Sequence, residues 1–389
     1  MRVAIVSRIF SPEPSAASFV LKALATRYRD AGHAVTVYTT TPPKGLDDPG
    51  LPGVRVKRCR ALRDKHGYVR GYIPYMSFDI PLFFRLLFGR RADLYLVEPP
   101  PTTGTVVRLV GWLRRRPYVY RAADLWSDAA RSTTSSQIVL RALRRVERFA
   151  LRGAGHVFAS TEGLLARMRE LGIDTPATAI GPGIDTETFR FLPDRAPITA
   201  PFFLYAGTYS EWQGAGVFVE GFSQFSRSRP GFRVIFIGNG SERDALVQRR
   251  DELGLTDDIE FREAVPGTAA NELLNDATAS LVSLKPGEGY DYAFPTKVFA
   301  SIAAGCPVLF SGEGPATSFI ESRSTIATLG LAVPYDADSV ARALARLADS
   351  PPSRRQRQDL SSWAHENHSL EAIANTVVTT STTLAKRST

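Results

Sequence analysis

Short apolar runs alternate with helical stretches along this chain, and the alternation happens twice. In the first half the runs are Val3–Ser7, Ala34–Thr39, Val54–Cys59, Leu94–Glu98, Tyr118–Ala122 and His156–Ser160. In the second half they are Phe202–Ala206, Arg233–Ile237, Ile259–Phe261, Ala279–Leu284, Val308–Phe310 and Leu329–Val333. Runs this short and this apolar, separated by helices, are strands of parallel sheets covered on both faces. The pattern predicts an α/β protein built of two doubly wound, Rossmann-like domains. The segment Gly181 to Thr199 (GPGIDTETFRFLPDRAPIT) is dense in Pro and Gly and marks the link between them. The expected limits are 1–190 for the first domain and 200–352 for the second, with 353–389 a helical tail packing back toward the first.

A chain of 389 residues is long enough to give each domain its own core. Apolar residues make up 44% and mean hydropathy is −0.10, values of a water-soluble protein. No apolar run reaches the roughly 18–20 residues that span a bilayer. The opening MRVAIVSRIF is a buried strand rather than a secretory signal. Cys59 and Cys306 are the two cysteines and lie far apart, which argues against a disulfide framework and for a cytoplasmic setting.

The net charge of +9 hides a division. Residues 1–152 carry 27 Lys and Arg against 11 Asp and Glu, whereas the remainder is acidic. Such asymmetry points to an anionic partner for the first half. Nucleic acid ranks last, because no recognition-helix, zinc-finger or aromatic RNA-binding signature is present. A phosphorylated substrate and an anionic membrane face remain. From Tyr68 to Arg91 the chain reads YVRGYIPYMSFDIPLFFRLLFGRR. Either Phe78 to Phe88 is a core helix, or this stretch dips into a membrane interface with its arginines on headgroups. Arg114-Arg115-Arg116 and the series Arg141, Arg144, Arg145, Arg148 favour the second reading; a solvated face is the plainer one.

The richest stretch is Ser283 to Gly312, SLKPGEGYDYAFPTKVFASIAAGCPVLFSG. It reads as a strand end, a loop, a helix with Pro295 at its first position, a stop at Gly305 and another strand. A helix start directs free N–H groups and positive dipole at the loop before it, a seat for phosphate. Lys297 adds a full charge one turn in. A generic strand–helix–strand unit is the alternative. The first strand runs into a loop without G-x-G-x-x-G, followed by a helix from about Ser18 to Ala31, and a dinucleotide oxidoreductase loses its support there. Asp336-Ala337-Asp338 reads as a cap for a helix over Ser339–Ala348 rather than a metal-holding pair. His365 and His368 have helical spacing but no evident third ligand.

Six stretches, in order, carry a resemblance. They are MRVAIVSRIFSPEPSAAS at the start, YRAADLWSD (120–128), IGPGIDTETF (180–189), YAGTYSEWQG (205–214), IGNGSERDAL (237–246) and FPTKVFASIAAGCPVL (294–309). Together they resemble the GT-B glycosyltransferases, and within them the retaining family 4. The resemblance implies two domains facing each other across a cleft, with a nucleotide-sugar donor on the second and the acceptor on the first. The acceptor is expected to be lipid-linked or otherwise anionic, in envelope polysaccharide or glycolipid synthesis, with the protein cytoplasmic and peripheral on the inner membrane face. No cofactor or metal is required in that picture. The donor diphosphate falls to Thr296 and Lys297 beside Phe294, and Gly207, Gly238 and Gly240 let backbone approach the nucleotide. Each of these glycines is equally a strand-end turn in the plainer reading. Asp124 inherits the catalytic or acceptor-orienting place, with a helix N-cap as its alternative. Ser15, Ala16 and Trp126 fall on the acceptor side. Ala300 and Tyr292 stand where such enzymes carry two glutamates, and Glu288 or Asp291 could reach the sugar instead. Transfer to a soluble secondary metabolite, or a non-catalytic sugar-nucleotide-binding role, are the rival expectations.

Overall fold

The computed structural model describes residues 1–13, 15–43, 46, 48, 50–63, 69, 72–130, 136–181, 183–195, 200–288, 293–322 and 329–387. It divides into one unit of Met1–Gly183 with Leu370–Thr389 and a second of Ile184–Ser369. The first unit opens with β1 (Arg2–Val6), α1 (Ala16–Asp30), β2 (Ala34–Thr40), β3 (Val54–Cys59), α2 (Tyr72–Phe88) and β4 (Leu94–Val97). It continues with α3 (Pro101–Arg114), β5 (Tyr118–Ala122), α4 (Trp126–Ala129), α5 (Gln137–Arg152), β6 (His156–Ala159), α6 (Glu162–Glu170) and β7 (Ala177–Ala179). The second unit holds β8 (Phe202–Ala206), α7 (Gly216–Ser228), β9 (Arg233–Ile237), α8 (Arg243–Glu252), β10 (Ile259–Arg262), α9 (Gly267–Asp276) and β11 (Ala279–Ser283). Then come α10 (Lys297–Ala303), β12 (Val308–Ser311), α11 (Pro315–Ser322), β13 (Gly330–Val333), α12 (Ala337–Asp349) and α13 (Arg354–His368). The chain closes with α14 (Leu370–Arg387), in the first unit.

Among the described residues the first sheet runs β3-β2-β1-β4-β5-β6-β7 and the second β10-β9-β8-β11-β12-β13, every pairing parallel. The twelve runs read from sequence all became strands; β7, only three half-buried residues long, was not among them. Parallel strands must be joined by crossovers, and the right-handed rule puts α2, α3 and α5 on one face and α1 on the other. Phe78, Leu82, Val107 and Leu151 fill the first layer; Leu24, Tyr28, Ile373 and Val377 fill the second. In both sheets the strand order reverses once, between β1 and β4 and between β8 and β11. Crevices beyond the carboxyl ends of strands at such reversals are where open α/β sheets hold ligands.

The unit limits differ from those expected. Residues after Gly183 already fold onto the second unit, because the N–H groups of Arg190 and Leu192 donate to Asn271 (3.0 Å) and Asn275 (2.7 Å) and Arg195 pairs with Asp276. Residues 353–389 are not one tail. Arg357 on α13 donates to the carbonyls of Leu274, Ala277 and Gly305, tying that helix to the second unit, and only α14 lies on α1. Pro295 is not the first helical residue either: α10 starts at Lys297, with Thr296 as its N-cap. Helix α2 buries Phe78, Leu82 and Leu86 while exposing Ile80, Phe84 and Phe88. No helix among the described residues is long and apolar enough to cross a membrane.

Candidate active site

In the second unit the strand reversal brings Gly207, just past β8, beside Lys297, which opens the helix after β11. Gly207 has φ +142°, and a Cβ there would stand 3.0 Å from Lys297 Nζ. The lysine folds back so that Nζ lies 4.0 Å from the centre of the Tyr205 ring. Nζ is shielded from water and has no hydrogen-bond partner among the described residues. Burial lowers its pKa from 10.5 to about 7. The ring's quadrupole offsets part of the lost hydration, and no described residue supplies the charge with a counter-ion.

The wall around this lysine is held by hydrogen bonds. Tyr205 donates its hydroxyl to Thr208 O (3.0 Å) and Gln213 Oε1 (3.2 Å), and Ser283 donates to Gln213 O (2.6 Å). Tyr335 donates to Gly214 O at 2.7 Å. The segment 207–214 is thus held from β8 by Tyr205, from β11 by Ser283 and by Tyr335 just beyond β13.

The other expected donor residues separate. Thr296 is exposed, makes no side-chain cap bond, and lends its carbonyl to the N–H groups of Phe299 and Ala300. With seven residues, α10 has only a short run of aligned peptide dipoles behind it. Phe294 does not face the lysine; it packs on Phe299 (4.7 Å between ring centres) and Phe319 (5.3 Å) in the core. Gly238 and Gly240 are required by backbone packing, since a Cβ on them would strike Gly207 O and Tyr209 O respectively. Glu288 pairs with Lys285 at 2.8 Å. Asp291 and Tyr292 lie outside the described residues. Glu242 was not foreseen: it sits near Glu211, Lys285 and Glu288, and its pKa is raised chiefly by burial and then by Glu211. Nothing in its motif distinguishes it from an ordinary helix-start glutamate.

In the first unit Asp124 follows β5, and its carboxylate makes no hydrogen bond among the described residues. The expected N-cap alternative for it fails. The cap of α4 is instead Glu147 from α5, whose carboxylate accepts from Trp126 N (2.6 Å) and Ser127 N (3.2 Å). Asp124 is left with a pKa raised by loss of water and pulled back by Arg121. Behind it Arg121 and Glu98 form a buried ion pair across β5 and β4. Arg8, just past β1, is buried with its guanidinium 4.1 Å from the Tyr75 ring centre and 5.5 Å from Trp126. Arg8 and Arg121 were missed; the signal was a charged residue inside or just beyond an otherwise apolar strand. Ser15 caps α1, accepting from Ser18 N at 3.1 Å, and Ala16 begins that helix. Asp336 caps α12 by accepting from Ser339 N (2.8 Å), and His365 Nε2 lies 3.1 Å from Phe189 O.

Two parallel sheets of this order, each with polar groups gathered at its strand reversal, define the GT-B fold. A sucrose-phosphate synthase from Thermosynechococcus elongatus matches with a TM-score of 0.72 and 18% identity, covering 100% of both chains. Anabaena HepE, solved in complex with UDP, matches with TM-score 0.72 and 16% identity, over 98% of this chain and 100% of that one. WaaG, a glycosyltransferase involved in lipopolysaccharide biosynthesis, matches with TM-score 0.67 and 15% identity, over 98% and 99%. No curated protein sequence matches the chain. Residues 16–183 match the glycosyl transferase 4-like domain, and residues 192–362 match glycosyl transferases group 1. The chain belongs to the group 1 glycosyltransferases, and it is an enzyme of glycosyl transfer.

Proposed function

We propose that this protein moves a sugar, with retention of configuration, from a nucleoside-diphosphate sugar to a lipid-linked or otherwise anionic acceptor in envelope polysaccharide or glycolipid synthesis. One observation carries the donor half: a buried ammonium at Lys297 that has no counter-ion among the described residues. A diphosphate beside Gly207 would supply that counter-ion. Lys297 then stabilises the negative charge that grows on the leaving diphosphate, the role of a preorganised oxyanion partner, without a metal. The complexes of HepE with UDP and UDP-glucose support this class of donor.

Asp124, whose carboxylate makes no hydrogen bond among the described residues, orients the acceptor hydroxyl or stabilises positive charge on the sugar. A lipid-linked acceptor agrees with the arginine-rich first unit and with the pathway of WaaG. A soluble acceptor is the second reading, supported by the neighbour involved in avilamycin A biosynthesis (17% identity, TM-score 0.60). A non-catalytic role draws support from Ala300, where a ribose-holding glutamate is usual in the family it resembles.

The test is a thermal-shift panel of UDP-, GDP-, dTDP- and ADP-sugars, followed by calorimetry. At a hundredfold excess over Kd a ligand adds about 2.7 kcal/mol of apparent stability. Lys297→Ala is expected to abolish the shift, and Asp124→Asn to retain it while turnover is lost. A blank panel, or unchanged binding by Lys297→Ala, overturns the donor assignment.

A further inference from the structure

Helices α2, α3 and α5 lie side by side over one face of the first sheet. Their outer surface exposes large apolar side chains in three neighbouring rows. Ile73, Ile80, Phe84 and Phe88 follow one stripe of α2, with Phe84 and Phe88 stacked at 6.3 Å. Leu109, Trp112 and Leu113 stand on α3, and Ile138, Val139 and Phe149 on α5. Phe88, Trp112 and Ile138 are 77%, 76% and 79% exposed. Large apolar side chains exposed together on neighbouring helices are the mark of an interaction site.

The charges on this face have one sign. The acids on the three helices, Asp79 and Glu147, are both buried. The arginines of α5 at 141, 144, 145 and 148 form no ion pair among the described residues, and neither do Arg115 and Arg116 at the end of α3. In the second unit Arg195, Arg229, Arg249 and Arg262 each pair with a carboxylate, whereas Arg354 and Arg355 on α13 form no ion pair among the described residues. What sets the α2–α3–α5 face apart is that its arginines stand beside exposed apolar rows and no exposed acid of these helices offsets them. Between the end of α3 and the start of β5 lies a cavity of about 650 Å³, its lining including Arg108, Arg115 and Arg116 beside Trp112 and Tyr118.

We infer that the α2–α3–α5 face docks on an anionic phospholipid bilayer, with the apolar rows in the acyl boundary and a headgroup phosphate in the arginine-lined cavity. A bilayer satisfies both components at once. A second copy of the chain would set these arginines against their own kind. A nucleic acid would engage the arginines but leave Phe88 and Ile138 without an apolar partner. This docking rests on the reading of a lipid-linked acceptor for its purpose, but on the surface alone for its evidence.

The test is sedimentation of the full chain with vesicles of phosphatidylcholine, with and without phosphatidylglycerol. Pelleting is expected only with the anionic vesicles. Phe88→Glu/Trp112→Glu should abolish it at unchanged melting temperature. Arg141→Glu/Arg145→Glu should weaken it at least about 25-fold, since each basic residue at the surface is worth about fivefold. Arg115→Ala/Arg116→Ala should weaken it too. The control Arg354→Glu/Arg355→Glu on α13 changes net charge equally and should retain most of the binding. Absence of pelleting, as an acidic protein partner would give, overturns the inference. So does full binding by Phe88→Glu/Trp112→Glu, or equal loss in the control. Sugar-nucleotide binding is measured without vesicles, so failure there sinks the transferase reading and leaves the docking result standing, and the converse also holds.

Discussion

An ammonium 4.0 Å above a tyrosine ring, with water excluded and no carboxylate paired to it among the described residues, recovers only part of the hydration it lost. The consequence at Lys297 is a pKa near 7 in the free protein, and its sign is testable. Between about pH 7 and 10.5 the unfolded chain holds a proton that the folded chain lacks, so free-protein stability rises with pH across that window. A diphosphate reverses the balance, because it returns the proton to the lysine. At pH 8 donor binding should take up about one proton, read by calorimetry in two buffers of different ionisation enthalpy. Above pH 8 the Kd should weaken by up to about tenfold per unit. Lys297→Met should remove both effects. Zero uptake in the parent protein would show that the ammonium does not meet the phosphate. The lysine was legible in the sequence from its place in FPTK. Its burial was not, because Tyr205 arrives from a strand some ninety residues earlier.

Among the elements, α4 shows how tertiary structure reassigns a local rule. Asp124 stands two residues before the helix and is the expected type of cap, yet Glu147 on α5 provides the carboxylate. Helix α4 has four residues and cannot stabilise itself; it depends on those two charge-assisted bonds. Glu147→Gln leaves one acceptor oxygen and turns an amide N–H₂ toward a backbone donor. The expected loss is about 1–3 kcal/mol, seen as a lower melting temperature with a changed near-ultraviolet signal from Trp126. An unchanged melting curve would mean the cap is dispensable. The glycines teach the same lesson. Gly207, Gly238 and Gly240 looked alike in sequence, but only Gly207 faces the lysine, whereas the other two let backbone segments pass closely.

At the scale of the whole molecule, α14 completes a core begun more than 340 residues earlier. Ile373, Ala374, Val377 and Val378 cover Val20, Leu24 and Tyr28, and the Tyr28 hydroxyl bonds Ser381. Each fully buried aliphatic side chain contributes about 1.5–3 kcal/mol, so losing the helix removes an amount comparable to a domain's net stability of about 5–15 kcal/mol. A chain ending at Ser369 should show a protease-sensitive first unit beside a second unit that still melts cooperatively and binds donor. Equal protease resistance of both units would refute the dependence. The sequence by itself determined the twelve long strands, their parallel pairing in two sheets and the lysine after β11, because periodicity and turn residues act within a few positions. Tertiary structure decided where the units divide, which carboxylate caps α4, which glycine faces the lysine, and which arginines stay unpaired. Those outcomes depend on side chains that meet only after crossovers bring distant segments together.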